Sequence, residues 1–372
     1  MKKGAEKVVA INGEFFCRNL TGIERVAIDA LKELDALLSE EAEAEPNGAR
    51  SLSGRVELVL PANAQSVPQY KNIRRVRLPV AAAFFPKWTQ IAFQKYVLWN
   101  RRVSLDFSNT CPYFSPGIEY LHDIYARLYP SDLKSRRDKL IRLYSTLMYR
   151  RIAKKAKKII AVSEFTKKTI IDAYKADPAK IEVVYDGLGS YKDIAPDFSV
   201  FERLPQLKER EFYFTLGSLS TRKNLKWIAA NARVYPNAFF AVSGKPLPSV
   251  VPPELEEMKT LPNVLMTGYL SDGEVKALLS KCKAFVFPSC FEGFGLPPLE
   301  ALSCGAPIVI SNRASLPEIY GKAAHYIDPD NPNVDISELL KEPVAPASSV
   351  LEKFTAENSA RRLLAVIKEV IG

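Results

Sequence analysis

The stretch AFVFPSCFEGFGLPPLEALSCGAPIVIS, from Ala284 to Ser311, consists of a strand, a loop, a short helix and a second strand. Two apolar runs of strand length, AFVFPS and PIVIS, enclose a segment that Pro297 and Pro298 open as a helix and Gly305 ends. Strands joined through a helix pair in parallel within one sheet. The stretch therefore predicts one unit of an α/β sheet, in which ligands bind beyond the carboxyl ends of the strands.

Apolar runs at the same spacing continue on both sides of this unit. The second half adds FYFTLG, FFAVSG, VLMTGY and HYID, and the first half holds VVAIN, VELVLP, VSLDFSN, IEYL, KIIAVS and IEVVYDG. Helical patterns separate these runs, among them Thr21–Leu38, Pro86–Arg101 and a helix that Ser163 caps, whereas Ser39–Arg55 has the composition of a surface loop.

Two doubly wound parallel-sheet domains follow from this alternation. We expect the first at residues 1–195 and the second at residues 205–350, because residues 190–209 show no clear period. A final helix lies at roughly Ala347–Ile371, and its part from about residue 352 to 372 is expected to pack back on the first domain.

Composition narrows the class of protein. The chain has 372 residues, of which 47% are hydrophobic and 25% charged, and no apolar run reaches the length of a membrane span or a secretory signal. Its five cysteines are scattered without a C-x-x-C pair, which favours a reducing compartment. We therefore expect a cytoplasmic protein, and its net charge of +10 favours phosphate, nucleic acid or anionic lipid as partner.

The loop within the opening stretch has the chemistry of an anion site. Gly293 and Gly295 let bare backbone approach a ligand, and the helix that follows directs N–H groups and its positive dipole end toward an anion. Glu292 and Glu300 bracket the loop, with Glu300 expected in the first helical turn, where carboxylates suit sugar and ribose hydroxyls. A tight turn and a helix-dipole partner are the structural alternatives for the glycines and for Glu300.

These residues resemble the E-x7-E signature of the retaining glycosyltransferase family 4, of GT-B fold, in the form Glu292-GFGLPPL-Glu300. TLGSLSTRKNLKWI, at 215–228, resembles the segment of that family that grips the donor diphosphate, which implies this role for Arg222 and Lys223. Many members carry arginine directly after the glycine that matches Gly217. Here Ser218 holds that place, and Arg222 is the candidate to supply the missing charge, although a solvated Arg–Lys pair is the alternative.

Three further segments resemble the family. YLHDIYARLYP implies that His122 lies beside the reacting sugar, LTGIERV implies that Gly22 approaches donor and acceptor, and TGYLSD implies that the backbone of Tyr269 and Leu270 lies near the base. An N-cap turn is the alternative for Gly22, and His325 is interpreted as structural. The predicted catalytic residues are His122, Arg222, Lys223 and Glu292. The predicted donor-binding residues are Gly22, Gly217, Ser218, Arg222, Lys223, Tyr269, Leu270, Glu292, Phe294, Gly295, Leu296 and Glu300.

The resemblance implies an activity as well as a fold. It implies two Rossmann-like domains facing across a cleft, and a hexosyl transfer that retains configuration, with no cofactor and no metal. The expected donor is GDP-mannose, dTDP-rhamnose or a UDP-hexose, with mannosyl or rhamnosyl transfer favoured. The expected acceptor is a glycan or a lipid-linked saccharide of bacterial cell-surface polysaccharide. Asp328-Pro329-Asp330 resembles a D-x-D metal motif but is interpreted as a proline turn.

A basic segment leaves one further partner open. Ser131–Lys158 contains eleven Lys or Arg against two Asp, and Phe84–Arg102 is rich in aromatic residues. Together they favour docking on an anionic membrane surface, with a solvated basic face as the alternative. A nucleotide-sugar epimerase and an inactive, scaffold-like relative remain alternatives to the transferase. Binding to nucleic acid is not expected, because the chain has no zinc pattern and no RNA-binding signature.

Overall fold

The computed structural model describes residues 7–18, 20–44, 52, 54–83, 86–132, 135–245 and 254–372. The chain forms two compact units. The first comprises Met1–Leu128, Leu140–Gly189 and Thr355–Gly372, and the second comprises Tyr129–Lys139 and Ser190–Phe354. This division departs from the predicted first domain in two respects, since Tyr129–Lys139 and residues 190–195 both group with the second unit.

The first unit contains a seven-stranded parallel sheet, as the alternation predicts. Its strands are β1 (Val9–Asn12), β2 (Val56–Leu60), β3 (Ile73–Arg77), β4 (Val103–Asp106), β5 (Ile118–Leu121), β6 (Lys158–Ala161) and β7 (Ile181–Val183). Their order in the sheet is β3-β2-β1-β4-β5-β6-β7. Sequence reasoning missed only the edge strand β3, because three of its five residues are arginines and hide the apolar period.

Helices flank this sheet. They are α1 (Gly22–Ala44), α2 (Gln94–Trp99), α3 (Tyr125–Leu128), α4 (Arg136–Lys155), α5 (Glu164–Tyr174) and, far along the chain, α15 (Ala356–Ile371). The side chain of Ser163 accepts from Thr166 N, which confirms the predicted cap of α5. The predicted loop Ser39–Arg55 is wrong over its first six residues, because α1 continues to Ala44. The rest of that segment lies outside the described residues, apart from Leu52, Gly54 and Arg55.

The second unit contains a six-stranded parallel sheet. Its strands are β8 (Tyr213–Leu216), β9 (Phe240–Ser243), β10 (Val264–Gly268), β11 (Ala284–Phe287), β12 (Ile308–Ser311) and β13 (His325–Ile327), in the order β10-β9-β8-β11-β12-β13. Its helices are α6 (Val200–Arg203), α7 (Gln206–Glu209), α8 (Leu225–Val234), α9 (Glu254–Met258), α10 (Asp272–Leu279), α11 (Leu296–Ser303), α12 (Leu316–Tyr320), α13 (Ile336–Leu339) and α14 (Ser348–Leu351).

Both sheets reverse their strand order at one point. The reversal falls between β1 and β4 in the first unit and between β8 and β11 in the second. At such a point the loops after two neighbouring strands turn away from each other and leave a crevice, where ligands of open α/β sheets bind. The loops that carry the predicted phosphate and sugar residues follow β8 and β11, so both begin at this position of the second sheet.

Candidate functional site

Glu292 is the centre of a charged cluster at the reversal point of the second sheet. Its Oε1 accepts from Nζ of Lys223 at 2.6 Å, and its Oε2 accepts from Nη1 of Arg222 at 3.0 Å. The Ser289 hydroxyl donates to Oε1 at 2.6 Å. The loop after β8 and the loop after β11 therefore bring together three of the four predicted catalytic residues.

The cluster is largely buried. The Glu292 side chain is 8% exposed and that of Lys223 is 10% exposed, whereas Arg222 reaches 27%. Burial by itself would raise the pKa of Glu292, but the charges of Lys223 and Arg222 and the hydrogen bonds it accepts lower this pKa to about 2. Glu292 is therefore a carboxylate throughout the physiological range, suited to accept hydrogen bonds and unsuited to act as a general acid.

Backbone contacts fix the shape of the Glu292 loop. Gly295 has φ +95°, a left-handed conformation that residues with a side chain rarely adopt, and it directly precedes α11. The Ser315 hydroxyl donates to the carbonyl oxygens of Glu292 (3.0 Å) and Phe294 (3.1 Å). The Tyr320 hydroxyl donates to the carbonyl of Gly295. These hydrogen bonds from Ser315 and Tyr320, at the two ends of α12, thus hold the loop in one conformation.

The second carboxylate of the signature occupies a different position from the one predicted. Glu300 is the fifth residue of α11, so it lies beyond the first turn, which contains no acidic residue. It is buried, with 9% of its surface exposed. The helix starts at Leu296, and because Pro297 and Pro298 have no N–H, the backbone donors at its start are reduced to a few, including Gly295 and Leu296. Side-chain cations therefore carry more of the positive charge here than the helix terminus does.

The loop after β8 brings its glycine against the cationic residues. A Cβ atom on Gly217 would lie 3.2 Å from Cε of Lys223, and Gly217 has φ +152°. The Ser218 hydroxyl lies 3.3 Å from that of Ser220. Arg222, the candidate substitute for the arginine expected at position 218, is thus the residue of this loop that pairs with Glu292 beside Lys223.

The predicted base-binding residues follow β10. The Tyr269 ring is 66% exposed and the Nζ of Lys245 lies 4.2 Å from its centroid, whereas Leu270 is buried. An exposed ring backed by a cation offers a flat surface on which a planar base can stack. Contact with a base remains a prediction for both residues.

His122 belongs to the first unit and follows β5. Its Nε2 lies 2.8 Å from the carbonyl oxygen of Phe107, which can only accept, so Nε2 carries a proton. Its Nδ1 lies 3.8 Å from Oδ2 of Asp186, and both side chains are buried. Burial lowers the pKa of His122, but the interactions with Asp186 outweigh it, so the pKa lies above its ordinary value of 6.5.

Asp186 is the residue that sequence reasoning missed at this position. It lies in the predicted strand segment IEVVYDG, just beyond β7, so a carboxylate at the carboxyl end of a strand was the available indication. The periodicity of the sequence did not reveal which residue of another strand it faces.

We expect Asp186→Asn to lower the pKa of His122, because the carboxylate that holds the proton is removed while the burial stays. Only two histidines are present, so the ring resonances of the chain can be followed by NMR during a pH titration and assigned with His122→Gln. Asp123→Asn is the matched control, since Asp123 acts on His122 more weakly than Asp186 does. An unchanged His122 titration in Asp186→Asn would show that the pair does not form.

The His122–Asp186 pair also makes the stability of the folded chain depend on pH. A histidine whose pKa is raised by folding stabilises the folded chain below its unfolded pKa of about 6.5, and this contribution disappears as the pH rises through the raised value. The difference in stability between the natural chain and Asp186→Asn should therefore be largest in mildly acidic buffer.

The remaining predicted residues have simpler surroundings. Gly22 is exposed and opens α1, where the backbone N–H and the hydroxyl of Thr21 both donate to Glu24. The Glu24 carboxylate thus reaches back to the residue before α1, which is one half of a capping box, and an approach of Gly22 to donor and acceptor stays a prediction. His325 is buried on β13, in keeping with a structural role.

Asp328 and Asp330 both pair with the side chain of Arg313. Arg313 Nη2 lies 3.3 Å from Oδ1 of Asp328 and also pairs with Asp330. Within the described ranges, no group of three or more His, Cys, Asp or Glu side chains is arranged to hold a metal ion. The proline-turn interpretation of Asp328-Pro329-Asp330 fits this pairing.

Solved structures with the same chain path define the class of fold. The Anabaena protein HepE in complex with UDP superposes with a TM-score of 0.63 at 16% identity, covering 98% of this chain and 100% of that one. A glycosyltransferase involved in lipopolysaccharide biosynthesis, WaaG, gives a TM-score of 0.61 at 15% identity, covering 98% of this chain and 99% of that one. The chain thus has the GT-B fold, with two Rossmann-like domains, as the sequence predicts.

Two family models match this chain in sequence. The model described as glycosyl transferases group 1 matches residues 199–342, and that described as glycosyltransferase family 4 matches residues 112–188. Together the matches span more than half of the chain. The chain belongs to glycosyltransferase family 4.

Two bacterial mannosyltransferases are similar to this chain in sequence. The chain is 27% identical over 243 residues to the O-antigen chain mannosyltransferase RfbU of Salmonella typhimurium, over 62% of each protein. It is 32% identical over 200 residues to the O-antigen chain mannosyltransferase B of Escherichia coli, over 50% of this chain and 51% of the relative. The chain therefore spans less than two thirds of the length of these relatives.

Proposed function

We propose that this chain is a retaining, metal-independent hexosyltransferase. It moves a sugar, with mannose favoured, from a nucleotide diphosphate donor to a glycan or lipid-linked acceptor in the synthesis of cell-surface polysaccharide. The observation that carries the proposal is the pairing of Arg222 and Lys223 with the buried Glu292 at the reversal point of the second sheet. The mannosyltransferases RfbU and B among the relatives support mannose.

The negative charge that develops on the leaving diphosphate makes the largest contribution to the activation barrier of this reaction. The bond between the sugar carbon C1 and the diphosphate oxygen breaks, and the diphosphate gains negative charge as it leaves. Two cations fixed in a largely buried site stabilise that charge more than they would in water, and the loss of one such preorganised donor typically costs about 10²–10³ in rate. Arg222 and Lys223 supply this positive charge, so the step does not require a metal.

Glu292 has two roles in the proposal. Without donor it neutralises Arg222 and Lys223 and holds them in place. With donor bound, the diphosphate takes over the cations and the carboxylate accepts hydrogen bonds from sugar hydroxyls. Retention is then achieved on one face of the sugar: the acceptor oxygen bonds to C1 as the diphosphate departs, and the acceptor proton passes to the leaving phosphate oxygen.

Thermal stability of the purified chain tests donor binding. A panel of GDP-mannose, dTDP-rhamnose, UDP-hexoses and the free diphosphates should raise the melting temperature selectively, since a ligand at 100 times its Kd stabilises by about 2.7 kcal/mol. We expect one donor and its own free diphosphate to act, and Lys223→Ala to abolish the rise, because Lys223 contacts the diphosphate.

Lys281→Ala is the matched control for this measurement. Lys281 is exposed and lies three residues before β11, so the variant removes the same charge near the amino-terminal end of the strand whose carboxyl end leads to Glu292. It should keep the full rise in melting temperature. A flat response of the natural chain to every donor and diphosphate would contradict the proposed function and favour the scaffold-like alternative.

An epimerase is the second candidate, since it would use the same donor. It isomerises a sugar through carboxylate acid–base steps, for which a carboxyl with a pKa near neutral is suited. The low pKa of Glu292 argues against this chemistry at the cluster.

A further inference from the structure

Two helices and a loop of the first unit form one block that presents apolar side chains to solvent. The helical segment Trp88–Trp99 begins as a π-helical turn, Trp88–Phe93, and continues as α2. Nε2 of Gln90 donates to the Tyr144 hydroxyl of α4 at 2.8 Å and to the carbonyl of Cys111 at the same distance. Phe114 N donates to Oε1 of Gln94 at 2.8 Å. The three pieces are thus tied to one another.

The outer surface of this block carries unusually exposed large apolar residues. Trp99 is 79% exposed, Phe114 is 69% exposed, and Leu143 is 68% exposed. On α4 the exposed residues Leu140, Leu143 and Leu147 recur at helical spacing and form one stripe. Ile91 and Leu98 form a second stripe on the neighbouring helix. Ile91 directly follows Gln90 and Leu143 directly precedes Tyr144, so each stripe includes a residue next in sequence to the hydrogen bond that joins the two helices. We call these seven residues the docking face.

The charges around the docking face are predominantly positive. Between Pro86 and Leu105 the sequence has no acidic residue, and α4 carries eight Lys or Arg against Asp138. The Nζ of Lys95 lies 5.8 Å from the Trp99 ring centroid, and Arg151 stacks on Tyr113 at 4.5 Å. Aromatic and leucine side chains surrounded by cations match the boundary of a bilayer whose headgroups are anionic.

We propose that the docking face seats the protein on an anionic lipid bilayer, with Trp99, Phe114 and the leucine stripe of α4 inserted at headgroup depth. Insertion is shallow, because within the described part of the chain no helix has both the length and the apolar character to cross a bilayer. The positive charges around the docking face favour an anionic bilayer over an uncharged apolar partner. The surface goes beyond the proposed transfer reaction and does not depend on which donor binds.

The three tryptophans of the chain provide a direct measurement. Trp88 and Trp227 are 1% and 2% exposed, so Trp99 alone can change its solvent contact on docking. The full chain is mixed with vesicles of phosphatidylcholine alone, or of phosphatidylcholine and phosphatidylglycerol in about equal amounts, then sedimented. We expect it to pellet with the second vesicles only, with a blue shift of tryptophan emission that Trp99→Phe abolishes.

Matched variants locate the surface. Leu143→Ser combined with Leu147→Ser should weaken binding to the anionic vesicles at least tenfold, because both exposed side chains lose their apolar contact with lipid. Val234→Ser, at a 51% exposed position of the second unit, should bind as the natural chain does. All of these variants should keep the donor-induced rise in melting temperature, so failure of docking and failure of the proposed function can be told apart.

Three outcomes would overturn the proposal. They are retention of the protein in the supernatant with anionic vesicles, pelleting without any shift of tryptophan emission, and equal binding by the double leucine variant. Release from the vesicles by a small excess of single-stranded RNA over lipid would instead assign the surface to nucleic acid.

Discussion

Glu292→Gln is expected to leave the chain folded and to lower the rate of sugar transfer by about 10²–10³-fold. Glutamine has the same size and can keep accepting from Ser289, but it carries no charge to hold Arg222 and Lys223. It also accepts hydrogen bonds from sugar hydroxyls less strongly than a carboxylate. The measurement is the initial rate of transfer with the donor that the thermal screen selects.

The pH dependence of stability provides a second readout for this variant. The lowered pKa of Glu292 means that its pairing stabilises the folded chain above the unfolded pKa of about 4.3, and that this contribution is lost as the pH falls toward about 2. Glu292→Gln should therefore melt at a lower temperature than the natural chain at neutral pH. Glu338→Gln, which removes an exposed carboxylate paired with Lys341, is the control for both measurements. Near-normal turnover in Glu292→Gln would remove this residue from the site.

Gly295→Ala is expected to destabilise the second unit by about 2–5 kcal/mol. A side chain at φ +95° costs roughly 1–2 kcal/mol. The new Cβ would also lie 2.7 Å from Cδ2 of the buried Leu316, and such overpacking adds about 1–3 kcal/mol. The loop that carries Glu292 must shift to relieve this contact, so transfer should fall with stability. Denaturant unfolding of the full chain measures the loss.

Gly305→Ala separates the cost of a side chain at positive φ from the cost of the close contact with Leu316. Gly305 also has a positive φ, +80°, but a Cβ there would meet nothing within 4 Å. This variant should therefore lose only the conformational part, about 1–2 kcal/mol, and keep its transfer rate. Equal losses in the two variants would mean that Leu316 moves aside without cost.

Most of the fold could be predicted because buried parallel strands have a clear apolar pattern. Every strand of the second sheet and six of the seven in the first were predicted as apolar runs. The edge strand β3 escaped because one face of an edge strand meets solvent, so IRRVR has the composition of a surface segment. The end of α1 escaped because its last turn, made of Glu and Ala residues, resembles a polar loop.

The candidate site was predictable in its residues and less so in its pairings. The resemblance to the family implies that Arg222, Lys223 and Glu292 act at one donor site, but not that the carboxylate binds both cations before any donor arrives. The pairing of His122 with Asp186 joins residues that are far apart in sequence, and no local period encodes such a contact. The position of Glu300 depended on which residue begins α11, and the two prolines allowed more than one start.

Helix α15 has a consequence for the order in which the two units can be completed. It packs against α1, Thr355 pairs with Leu188, and Arg55 donates to the carbonyl of Ile371 at 2.6 Å. A ribosome makes α15 only after all six strands of the second sheet, which come from one uninterrupted stretch. The second unit can therefore fold during synthesis, while the apolar side of α1 stays uncovered until the last helix emerges. The first unit is therefore completed later in synthesis than the second, although most of its chain is made earlier.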